Sequence, residues 1–185
     1  MATPTRIVLV GPPRGGKKTI VQQLCQTVHD PHISNPKISH HSTTEVSHRL
    51  GPNGNVFTIL PGTQSGKETH DKVIEMAPYV CVIVLPHGEW NPRMEKWLND
   101  FLATPVCNRT ILAITRSESL IGDDGANWVY QLKQVCEPLN MIRNQAIVFT
   151  GAITESDINI GDPLMLDRLQ TTCKNGIEQL RSKLI

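Results

Sequence analysis

A strand-to-helix turn near the N-terminus constrains this chain more than any other feature. The apolar residues 6–10 predict a buried strand, and residues 19–24 begin a helical pattern. Between them, residues 11–19 read GPPRGGKKT, with the spacing G-x-x-x-x-G-K. Glycines let the backbone curl so that its N–H groups converge on one hollow, and a helix N-terminus favours an anion there. The stretch therefore predicts a phosphate-binding loop.

The loop departs from its usual pattern at the position that normally binds Mg²⁺. That position carries Ser or Thr, whose hydroxyl coordinates the metal; here it is Lys18, and Thr19 comes one residue late. The sequence thus predicts phosphate binding without the usual metal ligand. The alternative is a glycine-rich turn that merely carries basic residues. The candidate phosphate-binding residues are Gly11, Arg14, Gly15, Gly16, Lys17, Lys18 and Thr19.

Composition narrows the class of protein. The chain has 185 residues, which is enough for one α/β domain, and we expect a single domain over residues 1–185. A net charge of +1 provides no basic field for nucleic acid. Five scattered cysteines without a C-x-x-C pair argue against a disulfide framework and a zinc site. Since neither a signal peptide nor a transmembrane segment is visible, we expect a cytoplasmic protein.

Strand and helix patterns alternate along the rest of the chain. The most apolar run, residues 79–85, does not alternate with polar residues, which is typical of a central parallel strand. The alternation predicts a three-layer α/β fold with a mostly parallel six-stranded sheet and helices on both faces. In helix 67–77, we expect Val73, Ile74 and Met76 to form the apolar side. Further strands are expected over 42–50, 56–60, 110–115 and 145–150, and further helices over 92–102, 126–136 and 163–184.

Two later segments add a family resemblance. Residues 77–90, APYVCVIVLPHGEW, are similar to an apolar strand that ends in a form like L-P-L-G-R-F, and residues 114–120, ITRSESL, resemble T-R-K-E-D-L. Together with the phosphate loop, they resemble the immunity-associated GTPases of the GIMAP family over about residues 6–183. The resemblance implies a P-loop GTPase-like fold, a guanine nucleotide (GTP or GDP) as ligand and, in an ordinary member, GTP hydrolysis.

Departures from the family pattern weaken the implied catalysis. Where a G domain has D-T-P-G, residues 59–62 read ILPG, so Gly62 is kept as the implied γ-phosphate sensor and Ile59 replaces the metal-holding aspartate. Glu89 stands where the family often has an arginine, and its charge has the wrong sign to stabilise the transition state. With Lys18, these changes predict weakened Mg²⁺ dependence and little hydrolysis. We assign no catalytic residue and no metal ligand.

The resemblance also implies where the base and the γ-phosphate are bound. Glu118 matches the acid that reads guanine, while Thr115 and Arg116 would brace the loop and stack on the base. Thr150 lies where the family usually has asparagines beside the base. Thr44 matches the threonine that closes over the γ-phosphate. A solvated glutamate at position 118 and an ordinary loop threonine at position 44 are the alternatives.

Three functions are compatible with these residues. The first is a guanine-nucleotide-binding protein with weak or absent hydrolysis that acts as a switch or assembly module. The second is an active GTPase in which Lys18 or a partner's residue compensates for the losses. The third is a pseudo-GTPase that binds no nucleotide and serves as an interaction module. Because nucleotide-side loops form dimer contacts in this family, the resemblance also implies a homodimer surface with Glu89, Trp90 and Arg93; alternatively, Trp90 packs on its own helix.

Overall fold

The fold is an open sheet with helices on both faces. The computed structural model describes residues 5–25, 45–88, 90–117, 120, 124–151 and 162–184. The strands in these residues are β1 (Arg6–Val10), β2 (Ser47–Leu50), β3 (Val56–Ile59), β4 (Val80–Pro86), β5 (Thr110–Thr115) and β6 (Ile147–Phe149). The α-helices are α1 (Lys17–Cys25), α2 (Gly66–Met76), α3 (Pro92–Phe101), α4 (Asp124–Val135) and α5 (Pro163–Leu184). Both β5 and α5 have the predicted bounds.

The strand order places a crevice beside the first strand. Within the described residues the sheet has six strands in the order β2-β3-β1-β4-β5-β6. Only the β2–β3 pair is antiparallel, so the predicted mostly parallel sheet is confirmed. The strands β2 and β3 lie on one side of β1, and the strands β4, β5 and β6 lie on the other, so the order of the strands reverses at β1. Open α/β sheets bind ligands at such a reversal, outside the carboxyl ends of the strands.

Two apolar cores lie on the two faces of the sheet. Along β1, Val8 and Val10 enter one core, whereas Ile7 and Leu9 enter the other, because successive strand residues point to opposite faces. Helices α2, α3 and α4 complete the first core, and α1 and α5 complete the second. All seven residues of β4 are buried, as expected for a central strand covered on both sides.

The ends of α2 and α3 follow local capping chemistry. Asn91 caps α3 by accepting hydrogen bonds from the N–H groups of Arg93 and Met94, and Pro92 occupies the first helical position, as the residue types suggest. One prediction for α2 is wrong: Ile74 is 48% exposed, whereas Val73 is fully buried. Adjacent helical residues point in directions about 100° apart, so the narrow contact face of α2 accommodates Val73 alone of the two.

None of the helices in the described part of the chain is long and apolar enough to cross a lipid bilayer.

Candidate phosphate-binding site

The predicted phosphate loop follows the carboxyl end of β1, at the reversal in strand order. Gly11 has φ +139°, and a Cβ atom placed there would lie 2.1 Å from the carbonyl oxygen of Val84 on β4. Gly16 has φ +98°, and a Cβ atom there would lie 3.0 Å from Cγ2 of Thr115. Both positions therefore require glycine, because the backbone is left-handed and neighbouring strands approach it closely.

Lys17 is the first residue of α1 and is almost completely buried. Its side chain is 4% exposed, and its Nζ donates hydrogen bonds of 2.7 Å to the carbonyl oxygens of Gly11 and Pro12. Desolvation lowers the pKa of Lys17 to about 8. The ammonium group is thus held across the loop by the carbonyl oxygens of its first two residues.

The loop after β5 is tied to the phosphate loop at two points. The hydroxyl of Thr115 donates a 2.7 Å hydrogen bond to the carbonyl oxygen of Gly15. The guanidinium of Arg116 donates to the carbonyl oxygen of Arg14 at 3.2 Å. Both arginines have positive φ, +57° for Arg14 and +56° for Arg116, an unusual conformation for side chains of this size. Thr115 and Arg116 therefore join the end of β5 to the phosphate loop, and their assignment to base binding stays a prediction.

Thr150, which follows β6, holds the segment after β5 by hydrogen bonds. It is buried, its N–H donates to the carbonyl oxygen of Ile114 at 2.7 Å, and its hydroxyl also faces that oxygen at 3.4 Å. Its own carbonyl accepts hydrogen bonds from the N–H and the hydroxyl of Ser117. Ser117 was not predicted as a site residue, although it lies inside the T-R-K-E-D-L-like segment. Its buried hydroxyl holds the stretch that leads to Glu118.

Gly62 brings the end of β3 onto the phosphate loop. It is buried, and a Cβ atom there would lie 2.3 Å from the backbone nitrogen of Pro13. The following segment is also held, since Nε1 of Trp97 donates a 3.1 Å hydrogen bond to the carbonyl oxygen of Gln64. These contacts bring Gly62, the implied γ-phosphate sensor, against the same loop as Lys17.

The residues at the implied metal positions do not fit Mg²⁺. Lys18 is exposed on the first turn of α1 and offers an ammonium group, whereas Mg²⁺ prefers oxygen ligands in octahedral geometry. Ile59 is 5% exposed and belongs to the apolar core shared with α1. In the described segments, no group of three or more His, Cys, Asp or Glu side chains is arranged to hold a metal ion.

Some predicted site residues lie outside the described residues. These are Thr44, Glu118 and Glu89. The structure thus brings together the phosphate loop, Gly62, Thr115 and Arg116, with Thr150 beneath them. The assignment of guanine reading to Glu118 and of γ-phosphate closure to Thr44 stays a prediction.

No protein-family model and no curated protein sequence matches this chain.

Solved structures nevertheless share its fold. Era from Aquifex aeolicus, bound to GDP·AlF4⁻, matches with a TM-score of 0.56 and 18% identity, over 91% of this chain and 57% of that chain. The small GTPase Arl6 from Trypanosoma brucei, with bound GppNp, matches with 0.52 and 13%, over 94% and 99%. The bacterial selenocysteine-specific elongation factor EF-Sec matches with 0.53 and 14%, over 96% and 29%. The chain therefore has the α/β P-loop GTPase-like fold of G domains, as predicted.

Proposed function

We propose that this chain binds guanine nucleotide, hydrolyses GTP weakly or not at all, and works as a GIMAP-like switch or assembly module. The observation that carries the proposal is the buried Lys17, held across a glycine loop at the carboxyl end of β1. Burial of a charged lysine is costly, and a bound phosphate would offset that cost. Era and Arl6, which share the fold, hold GDP·AlF4⁻ and GppNp in their structures.

Charge on the protein would replace much of the charge that a metal normally supplies. Lys17, Lys18 and Arg14 belong to the phosphate loop or its helix, and Arg116 is bonded to the loop. The positive end of α1 adds to this field. Four cations on this loop and helix, or bonded to the loop, would favour polyphosphate binding that depends only weakly on Mg²⁺. A lysine ammonium is a point charge and does not impose the metal's octahedral geometry.

The same substitutions argue for slow hydrolysis. Phosphoryl transfer depends on positioning and on charge stabilisation, much of it delivered through a bound metal. Ile59 contributes an apolar side chain where an aspartate would hold that metal, and Lys18 contributes no oxygen. We therefore propose that the chain binds GTP tightly and hydrolyses it slowly, and we assign no catalytic residue.

A pseudo-GTPase is the second candidate, because the loop itself has lost hydrogen-bond donors. Pro12 and Pro13 carry no N–H group, and the N–H of Gly15 donates to the carbonyl oxygen of Pro12. The N–H groups of residues 16–19 are unaffected by these losses. Nucleotide binding distinguishes the two candidates, because only the first requires it.

A fluorescence titration with labelled GTP, GDP and ATP, each with Mg²⁺ and with EDTA, tests the proposal. We expect GTP and GDP to bind, ATP to bind at least about tenfold more weakly, and EDTA to change the affinities by less than about threefold. No binding of any nucleotide would favour the pseudo-GTPase. Strong loss of binding in EDTA, together with turnover, would favour the active GTPase with compensating residues.

Restoring the metal anchors should restore metal dependence. In the variant Lys18→Ser with Ile59→Asp, we expect GTP to bind at least about tenfold more tightly with Mg²⁺ than with EDTA, because hydroxyl and carboxylate oxygens suit the metal. Titration with and without EDTA measures the ratio. Because Ile59→Asp places a carboxylate in an apolar core, Lys18→Ser alone is tested beside it, and the exposed Lys67→Ser is the control. An unchanged ratio in both Lys18 variants would contradict the proposed role of Lys18.

Nucleotide affinity should fall as the solution becomes alkaline. The pKa of Lys17 is about 8. Below that pH it is already protonated, whereas above it the lysine must take up a proton to meet a phosphate. If bound nucleotide keeps Lys17 charged, GDP should bind about tenfold more weakly at pH 9 than at pH 7. Calorimetry at pH 7, 8 and 9 measures this, and constant affinity over the range would contradict it.

The homodimer and the cytoplasmic location stay predictions. Trp90 is partly buried and packs against the core on the α3 side of the sheet, which supports the alternative in which it folds onto its own domain. Arg93 is exposed on the first turn of α3.

A further inference from the structure

A second concave site lies at the opposite end of the sheet from the phosphate loop. A cavity of about 650 Å³ opens at the amino ends of β5 and β6. Its walls come from the end of α3, the segment before β5, the 3₁₀ turns before β6 and the last turn of α5. Because β1, β5 and β6 run in the same direction, the cavity at their amino ends lies at the opposite end of the strands from the phosphate loop, which follows the carboxyl end of β1. Neither the proposed function nor the G-domain fold assigns a role to it.

The charged side chains of this cavity are all basic. Arg109, Arg143 and Lys183 line it, and none of its lining residues within the described part of the chain is Asp or Glu. Arg109 is held in place, since its guanidinium donates a 2.7 Å hydrogen bond to the carbonyl oxygen of Lys183 and lies 5.1 Å above the ring of Tyr79. The cavity therefore carries an ordered cation at its rim and attracts an anion.

The turn that carries Arg143 is also fixed. Nζ of Lys133 donates a 2.8 Å hydrogen bond to the carbonyl oxygen of Ile142 and a 2.9 Å hydrogen bond to Oδ1 of Asn144. The N–H of Ala146 donates to the carbonyl oxygen of Arg143 at 2.8 Å. A wall built of bonded turns would keep its shape when a ligand enters, which lowers the ordering cost of binding.

Part of the cavity wall is apolar. Pro105 and Met141 line it and are exposed, and Ala146 lines it and is partly exposed. Accessible apolar surface beside basic side chains matches a molecule with an anionic head and a hydrocarbon body. The volume lies in the range of about 300–1,000 Å³ typical of small-molecule sites. An α-helix fills roughly 500 Å³ per turn, so the cavity accepts little more than one turn of a partner helix.

We infer that this basic cavity binds a small organic anion with an apolar body, of the kind represented by a medium-chain carboxylate. The anionic head meets Arg109, Arg143 and Lys183, and the hydrocarbon chain covers Pro105, Met141 and Ala146. The inference is independent of nucleotide binding, because no residue of the phosphate loop lines the cavity.

Titration of the full chain with octanoate, followed by amide chemical shifts, tests the inference. We expect saturable shifts centred on residues 102–111 and 141–146. Octanoate should bind at least about tenfold more tightly than 1-octanol, which lacks the charge, or acetate, which lacks the chain. Equal binding of octanol or acetate would overturn the inference, as would shifts located elsewhere. Binding of an acidic, leucine-containing peptide without binding of octanoate would also overturn it and would indicate a protein partner.

Charge reversal at the rim provides the matched test. The double variant Arg143→Glu with Lys183→Glu should weaken octanoate binding at least about tenfold. The control, Arg168→Glu with Lys174→Glu, changes the same charge on exposed positions of α5 outside the cavity and should bind within about twofold of the unmodified chain. Arg143→Glu alone serves if Lys183→Glu lowers the thermal stability. Equal losses in both pairs would show a general charge effect and overturn the inference. Lys17→Ala should keep octanoate binding unchanged.

Discussion

Replacing Lys17 with alanine should weaken GDP binding about 100-fold or more, because the variant loses the desolvated ammonium group that, in the proposed site, would meet the phosphates through charge-assisted hydrogen bonds. The proposed site places no other buried cation beside the phosphate loop within the described residues. Fluorescence titration with labelled GDP, in the presence and absence of EDTA, measures the loss.

The folded state should tolerate this change. Lys17 is charged at pH 7 although burial lowers its pKa to about 8, so removing it also removes a desolvation penalty. The carbonyl oxygens of Gly11 and Pro12 lose a donor, and water entering the hollow can replace it. We therefore expect the free energy of unfolding to change by no more than about 1 kcal/mol.

The control for this experiment is Lys67→Ala. Lys67 is exposed on α2, so its removal changes the net charge equally without touching the phosphate loop. Unchanged GDP affinity in Lys17→Ala, or equal losses in both variants, would contradict the assignment of the loop as a phosphate site.

Replacing Gly11 with alanine should be the most destabilising single-methyl change near this site. The added Cβ would lie 2.1 Å from the carbonyl oxygen of Val84, and the backbone has φ +139°. The left-handed conformation costs about 1–2 kcal/mol and overpacking against a backbone atom about 2–3 kcal/mol, so we expect a loss of about 3–5 kcal/mol in the free energy of unfolding. Urea unfolding followed by circular dichroism measures it.

Gly54→Ala separates the two causes. Gly54 also has positive φ, +75°, but an added Cβ there would have no neighbour within 4 Å. We expect only the conformational cost, about 1–2 kcal/mol. Similar losses in Gly11→Ala and Gly54→Ala would show that the contact with β4 does not restrict Gly11.

Fold prediction succeeded where the signal was local. The uninterrupted apolar run at β4 and the cap formed by Asn91 and Pro92 depend on neighbours in the sequence, so both could be recognised from the residues alone. The failure at Ile74 has the opposite origin. Its exposure depends on how much of α2 is covered by α3 and the sheet, and that area is set by packing between distant segments.

Site prediction divides in the same way. The turn that holds the glycines and Lys17 could be placed between β1 and α1 because the predicted phosphate loop needs particular residue types at a fixed spacing. Ser117 was not predicted because its role is a hydrogen bond to Thr150, which lies 33 residues away. A serine in a polar loop has no sequence pattern that predicts such a bond. The hydrogen bond from Thr115 to Gly15 likewise joins residues that are 100 positions apart in the sequence.

The sequence by itself determined the class of fold and the position of the glycine-rich turn between β1 and α1, because burial patterns and left-handed glycines act within a few residues of the chain. It also determined that Lys18 and Ile59 stand where metal anchors are expected. Only the tertiary structure decided that Lys17 is buried, that Gly11 touches β4, and that a basic cavity opens at the amino ends of β5 and β6. These depend on segments far apart in the chain, and their distances exist only after the sheet has assembled.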